Sequence, residues 1–148
     1  HPRTRHRLRR ASRFSISPTR FTYPSKFWKP IVWDKKTIGM GYHYRARYEF
    51  VLFFEKGKRK LNNLGVADVI EVARIRNGYP TEKPVEVADI LVKQSSSLGE
   101  LVIDPFVGAG STGVAALQNG RRFLGADVGA AALEIADGRL RAARVGGG

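Results

Sequence analysis

The sequence predicts an α/β domain in which parallel strands alternate with helices, and three observations carry that prediction. The last third of the chain alternates short apolar runs with longer amphipathic ones. A glycine-rich turn follows the first of these runs, and an acid closes the second. Strand–helix–strand–helix in this order is the pattern of a parallel sheet with crossover helices.

Taken in order, residues 1–26 hold Arg, Ser, Pro and Thr without periodicity and read as a basic, disordered tail. From Phe27 the texture changes. Pro30-Ile31-Val32-Trp33-Asp34 predicts a short strand and Gly39-Met40-Gly41 a turn. Residues 47–55, rich in aromatic and branched side chains, predict the strongest strand, stopped at Lys56-Gly57-Lys58 and able to pair with the first. Residues 57–80 read as a loop. A helix is expected from Thr81, with Pro84 tolerated in its first turn and Val87, Ile90 and Leu91 on one face. Leu101-Val102-Ile103 reads as a buried strand. A helix follows from Ser111 or Thr112 to Asn119-Gly120, then a strand over 122–127 and a last helix with Leu133, Ala136 and Leu140 on one face.

Composition narrows the function. Hydrophobic content of 43% and charged content of 26% suit a globular domain. The absence of cysteine excludes disulfides and thiolate metal sites, and the three histidines, His1, His6 and His43, are scattered. No apolar run approaches the ~20 residues that span a bilayer, which leaves a cytoplasmic protein as the expectation and no membrane partner. The net charge of +13 is uneven: residues 1–60 hold 17 Lys and Arg against three acids, whereas residues 61–148 hold nine against ten. A basic segment beside a neutral one points to a polyanion contact on one side, or to a solvated surface.

The chemistry lies in Asp104-Pro105-Phe106-Val107-Gly108-Ala109-Gly110-Ser111-Thr112-Gly113 and in Asp127. Glycines at the carboxyl end of a strand admit a ligand close to the backbone, and the next helix aims its free N–H groups there. An acid at the end of the following strand is placed to accept hydrogen bonds from ribose hydroxyls. Together they describe a nucleoside pocket. The glycine spacing also spells the dinucleotide fingerprint, so an NAD-dependent oxidoreductase is an alternative. Against it, only 21 residues follow Asp127, too few for a second mononucleotide-binding half. Asp104 would repel a pyrophosphate and suits a ligand with a positive centre, such as S-adenosylmethionine.

These motifs resemble the DNA amino-methyltransferases that modify adenine N6 or cytosine N4, in the circularly permuted class whose cofactor motif lies near the C-terminus. Asp104-Pro105-Phe106-x-Gly108-x-Gly110-Ser111-Thr112 is similar to the cofactor motif, Tyr79-Pro80-Thr81-Glu82-Lys83-Pro84 to the short motif upstream of it, and Asp127 to the ribose-binding acid. Trp33-Asp34-Lys35, Gly39-Met40-Gly41 and residues 44–52 resemble the segment between the catalytic and cofactor motifs. The resemblance implies a partial, Rossmann-like class I methyltransferase fold over residues 27–145, with S-adenosylmethionine as cofactor. It implies cofactor contacts at Thr81, Lys83, Asp104, Pro105, Phe106, Gly108, Gly110, Ser111, Thr112 and Asp127. Phe106 packs beside the adenine or fills the core, and both readings stand.

The family's catalytic motif, an Asp, Ser or Asn followed by Pro-Pro and an aromatic residue, is missing: the sequence has no Pro-Pro. No catalytic residue is assigned. The expectation is a cofactor-binding portion that is inactive alone, with a DNA- or partner-binding module as the other reading. Arg45, Arg47, Lys58 and Arg59 are the candidate DNA contacts. The full fold has further central strands, so the expected partners are DNA and whatever closes the sheet, either a second copy or the N-terminal portion of the same enzyme.

Overall fold

The computed structural model describes residues 6–10, 25–79 and 82–145. Nine elements follow one another: β1 (His6–Arg10), β2 (Lys26–Asp34), β3 (Tyr48–Glu55), β4 (Val69–Glu71), α1 (Val85–Ser95), β5 (Leu101–Asp104), α2 (Ser111–Gln118), β6 (Arg122–Asp127) and α3 (Ala130–Val145). The strands form two three-stranded sheets, ordered β1-β6-β5 and β3-β2-β4.

The first sheet is wholly parallel: Val102 lies opposite Phe123, and Leu8 opposite Gly125. Its inner face packs on α2 and α3 through Val107, Val114, Leu117, Phe123, Ala136 and Leu140. The strand at β1 corrects the expectation that 1–26 is unstructured throughout. Arg7-Leu8-Arg9 alternates like any half-buried strand, sending Leu8 onto this core while both arginines stay exposed. One leucine among arginines is too weak a period to see in sequence. The remainder of that tail, 1–5 and 11–24, lies outside the described residues.

In the second sheet β2 and β3 pair antiparallel from Lys26↔Glu55 to Asp34↔Tyr48, with an irregularity between Phe27 and Lys29. β4 adds in parallel on the other side of β2, Trp33 opposite Ile70, inside the segment expected to be loop. Trp33, Ile70 and Val87 are buried together, so α1 covers this sheet as α2 and α3 cover the other. α1 and α2 meet through Ala88, Val92 and Ala115, which makes the three helices one layer. The helix expected from Thr81 starts at Val85, because Pro84 takes the N-cap with an extended ψ of 139°. Thr81 itself lies outside the described residues.

Among the described residues, the opposite face of each sheet carries no helix. Tyr48, Phe50, Leu52 and Phe54 alternate outward along β3 and are roughly half exposed, as are Leu101 and Ile103 on β5.

Candidate cofactor site

The site forms where β5 and β6 end. After Asp104 the chain turns through residues 105–110, and the Phe106 N–H donates to Asp104 Oδ1 at 2.9 Å. Each glycine of this turn has its own reason. Gly108, at φ +50°, faces open space, and a Cβ there would meet nothing nearer than the Phe106 carbonyl at 4.0 Å. Gly110, at φ +86°, caps α2, and a Cβ would press on Ala136 at 3.0 Å. Gly113 lets α2 settle on Leu140 and Phe123, each 2.6 Å from a would-be Cβ. The first glycine therefore leaves room for a ligand, and the other two seat the helix against α3 and β6.

Asp127 anchors the loop from below. Its Oδ2 accepts the Gly108 N–H at 2.9 Å and its Oδ1 accepts the Gly129 N–H at 2.8 Å. These two donors, Gly129 first, hold its carboxyl below the usual aspartate range, so it is an anion with spare lone pairs.

A cavity of about 410 Å³ opens beside the loop, between α1, the edge of β3 and the end of β5. Of the predicted cofactor residues it collects Lys83, Asp104, Phe106, Gly108, Ser111 and Thr112. Phe106 is 85% exposed, so it does not fill the core. Pro105 is exposed at the turn and, like the buried Gly110, does not line this cavity. Asp127 does not line it either, and reaches it only through Gly108. Ser111 Oγ is already engaged, donating to the Lys83 carbonyl at 2.6 Å and tying the upstream motif to the start of α2.

Lys83 is not free. Its ammonium lies 2.6 Å from Glu49 Oε2, and Lys35 lies 2.6 Å from Glu49 Oε1. Burial raises Glu49, but these two ammonium groups outweigh it and hold the carboxyl below its usual range. Both lysines also stand 5.5 Å from the Trp33 ring centre. Trp33 and Glu49, like Tyr79 and Glu82, line the cavity without having been assigned to it. Glu82 was findable: it stands three residues after Tyr79, whose N–H donates to Glu82 Oε2 at 3.0 Å. Arg139 then pairs with Glu82 at 2.8 Å and donates to the Ala109 carbonyl at 2.7 Å, joining α3 to the glycine loop.

The four candidate DNA contacts are not brought together. Arg45 and Arg47 precede β3, whereas Lys58 and Arg59 follow it. Arg47 makes a two-pronged bond to Asp34 at 2.7 and 2.8 Å, and Arg59 donates from Nη1 to both carboxylate oxygens of Glu100 at 2.7 and 2.9 Å. Arg45 donates to the Gly39 carbonyl. Among the described residues there is no cluster of His, Asp or Glu suited to a metal, and no helix long and apolar enough to cross a membrane.

A family profile described as DNA methylase matches residues 9–137. The chain is 33% identical over 112 residues to the type II methyltransferase M2.DpnII of Streptococcus pneumoniae, covering 76% of this chain and 41% of that protein. Among solved structures it is similar to TTHA0409 of Thermus thermophilus in complex with S-adenosyl-L-methionine, at TM-score 0.65 and 27% identity over 83% of this chain and 56% of that one. It also resembles the M1.HpyAVI–SAM complex, at TM-score 0.67 and 22% identity, over 78% of this chain and 63% of that one, a likeness of fold. A parallel sheet ending in a glycine loop, with an acid at the next strand end, places the fold among the class I, Rossmann-like methyltransferases. The chain belongs to the DNA methylase family of the N6/N4 type. It spans about two-fifths of the length of the first of these relatives.

Proposed function

We propose that this chain is the S-adenosylmethionine-binding portion of a DNA methyltransferase acting on an exocyclic amine of adenine or cytosine. The observation that carries the reading is the Gly108–Asp127 arrangement: a glycine open to ligand, whose N–H is fixed by an ionised carboxylate at the neighbouring strand end. The residues fit the cofactor. Asp127 retains lone pairs for ribose hydroxyls, and Asp104 offers a negative charge to an ammonium or sulfonium. The first N–H groups of α2, which lack intrahelical partners, suit a carboxylate. Lys83 would serve that carboxylate only while shared with Glu49, and Thr81 is a proposed contact from the motif alone. When bound, the cofactor supplies the reactive methyl group, while these residues hold and orient it.

The chain alone is proposed to bind cofactor without turnover, since the Pro-Pro-aromatic motif that would hold the target amine is absent from the sequence. The apolar outer faces that the described residues leave without a helix suit a partner carrying that motif, in the same polypeptide or another. Calorimetry with S-adenosylmethionine, its demethylated product and NAD tests the reading. Binding of the first two is expected, and Asp127→Asn should weaken it by about 1.5–3 kcal/mol, the worth of hydrogen bonds to a charged acceptor. Preference for NAD would overturn the assignment.

A further inference from the structure

The segment Val72–Tyr79 reads Val-Ala-Arg-Ile-Arg-Asn-Gly-Tyr, and both of its ends are pinned. At its start the Val72 N–H donates to the Asp34 carbonyl at 3.2 Å, and the Val72 carbonyl accepts Trp33 Nε1–H at 2.8 Å. At its end Tyr79 bonds to Glu82, which Arg139 holds. Between them Ile75 lies against Gly78, where a Cβ would come within 2.8 Å of its methyl group. Arg74 and Arg76 flank Ile75 and are exposed.

Both arginines line a second cavity, of about 240 Å³, that shares Trp33, Glu49 and Lys83 with the cofactor cavity. Four cations line it: Lys35, Arg74, Arg76 and Lys83. Its two acids are committed to groups other than the arginines. Glu49 is shared by Lys35 and Lys83, and Glu82 is held by Arg139 and the Tyr79 N–H. Arg74 and Arg76 have no acidic partner among the described residues, although Arg47 and Arg59, farther from the cavity, each have one. Two unmatched, exposed guanidinium groups on a segment held at both ends, beside an opening, are a seat for an anion from outside.

We propose that Arg74 and Arg76 bind phosphodiester groups of a nucleic acid at the mouth of the cofactor cavity, next to where the methyl group is presented. This rests on the proposed function and assigns its DNA contact to a loop other than the candidates read from sequence. The cofactor's own carboxylate is the competing anion. It is the weaker fit, because S-adenosylmethionine carries two positive centres against one negative. Two further unmatched arginines would repel it, whereas a phosphodiester backbone supplies one negative charge per nucleotide.

The test measures binding of the full chain to a labelled mixed-sequence duplex of about 20 base pairs across salt, with S-adenosylmethionine calorimetry alongside. Each phosphate neutralised contributes about −0.9 to the slope of log K against log salt, so Arg74→Ala/Arg76→Ala should flatten the slope by about 1.8. Cofactor affinity should stay within about twofold, which also reports that the variant is folded. Arg74→Lys/Arg76→Lys should keep most of the slope while binding more weakly, since lysine lacks the two-pronged fork. An unchanged slope in the alanine pair would overturn the proposal. So would a tenfold loss of cofactor affinity with DNA binding intact, which would give these arginines to the carboxylate. A wild-type chain that binds cofactor but shows no salt-dependent DNA binding would refute this inference and leave the cofactor reading standing.

Discussion

Gly108, Gly110 and Gly113 look equivalent in the sequence and are not. At Gly113 an added Cβ would collide with Leu140 and Phe123 at 2.6 Å, inside the packed core. Gly113→Ala should therefore destabilise the chain by about 1–3 kcal/mol despite alanine's better helix propensity, read as a lower urea midpoint. At Gly108 the space is open, so Gly108→Ala faces only left-handed backbone strain of about 1–2 kcal/mol and should cost proportionally more in cofactor affinity than in stability. Equal losses at the two positions would mean that Gly108 is not the open side of the loop. Asp34 allows a pH prediction. The Arg47 guanidinium, and next the Lys36 N–H, lower its carboxyl to about 2. A depressed carboxyl adds stability that is complete above the unfolded value of about 4 and fades as pH falls toward 2. Denaturation midpoints measured from pH 2 to 6 should lose part of this acid limb in Asp34→Asn and be otherwise parallel.

At the scale of elements, α1 and α2 are locked by Arg121, which follows α2 and is only 8% exposed. Its guanidinium donates to the Ser96 carbonyl at 2.7 Å, to Ser96 Oγ at 3.1 Å and to the Asn119 carbonyl at 2.6 Å, bonding the carbonyls at the ends of both helices. Arg121→Lys cannot reach all three acceptors and should cost about 2 kcal/mol, seen as a lowered melting temperature with cofactor affinity unchanged below the transition. The run from β5 to α3 was legible in the sequence, because apolar period, glycine turn and strand-end acid agree there. β3 was legible from its aromatic alternation, and its pairing with β2 followed. β1 and β4 were not, since each depends on one inward side chain, the partly buried Leu8 or the buried Ile70, whose partners lie far along the chain. The cofactor motif named one wall of the cavity, from Asp104 to Thr112, and left the side built by β3 and α1 unnamed. It did not disclose that Lys83 is bound to Glu49, or that Ser111 is spent on the Lys83 carbonyl, because these contacts depend on how β3 and the start of α2 each approach the segment before α1.

Across the molecule, among the described residues, the three helices form one layer, and no helix lies on the outer face of either sheet. Among the described residues Tyr48, Phe50, Leu52 and Phe54 form an exposed apolar row on β3, and the proposed partner would cover it. The purified chain is therefore expected to bind a hydrophobic dye and to self-associate with rising concentration. Co-expression with a relative's segment bearing the Pro-Pro-aromatic motif should suppress both effects and restore methyl transfer to unmodified DNA. A dye-silent monomer would show that the face needs no partner. The pairing of β1 with β6 has a consequence in time. His6 and Phe123 sit side by side although more than a hundred residues separate them in the sequence. A ribosome adding roughly 5–20 residues per second releases Leu8 long before its place on the core exists. Of the described strands, β1 is made first and cannot dock before β6, the last, has been made, so the nascent chain carries its arginines for seconds before they have a sheet to belong to.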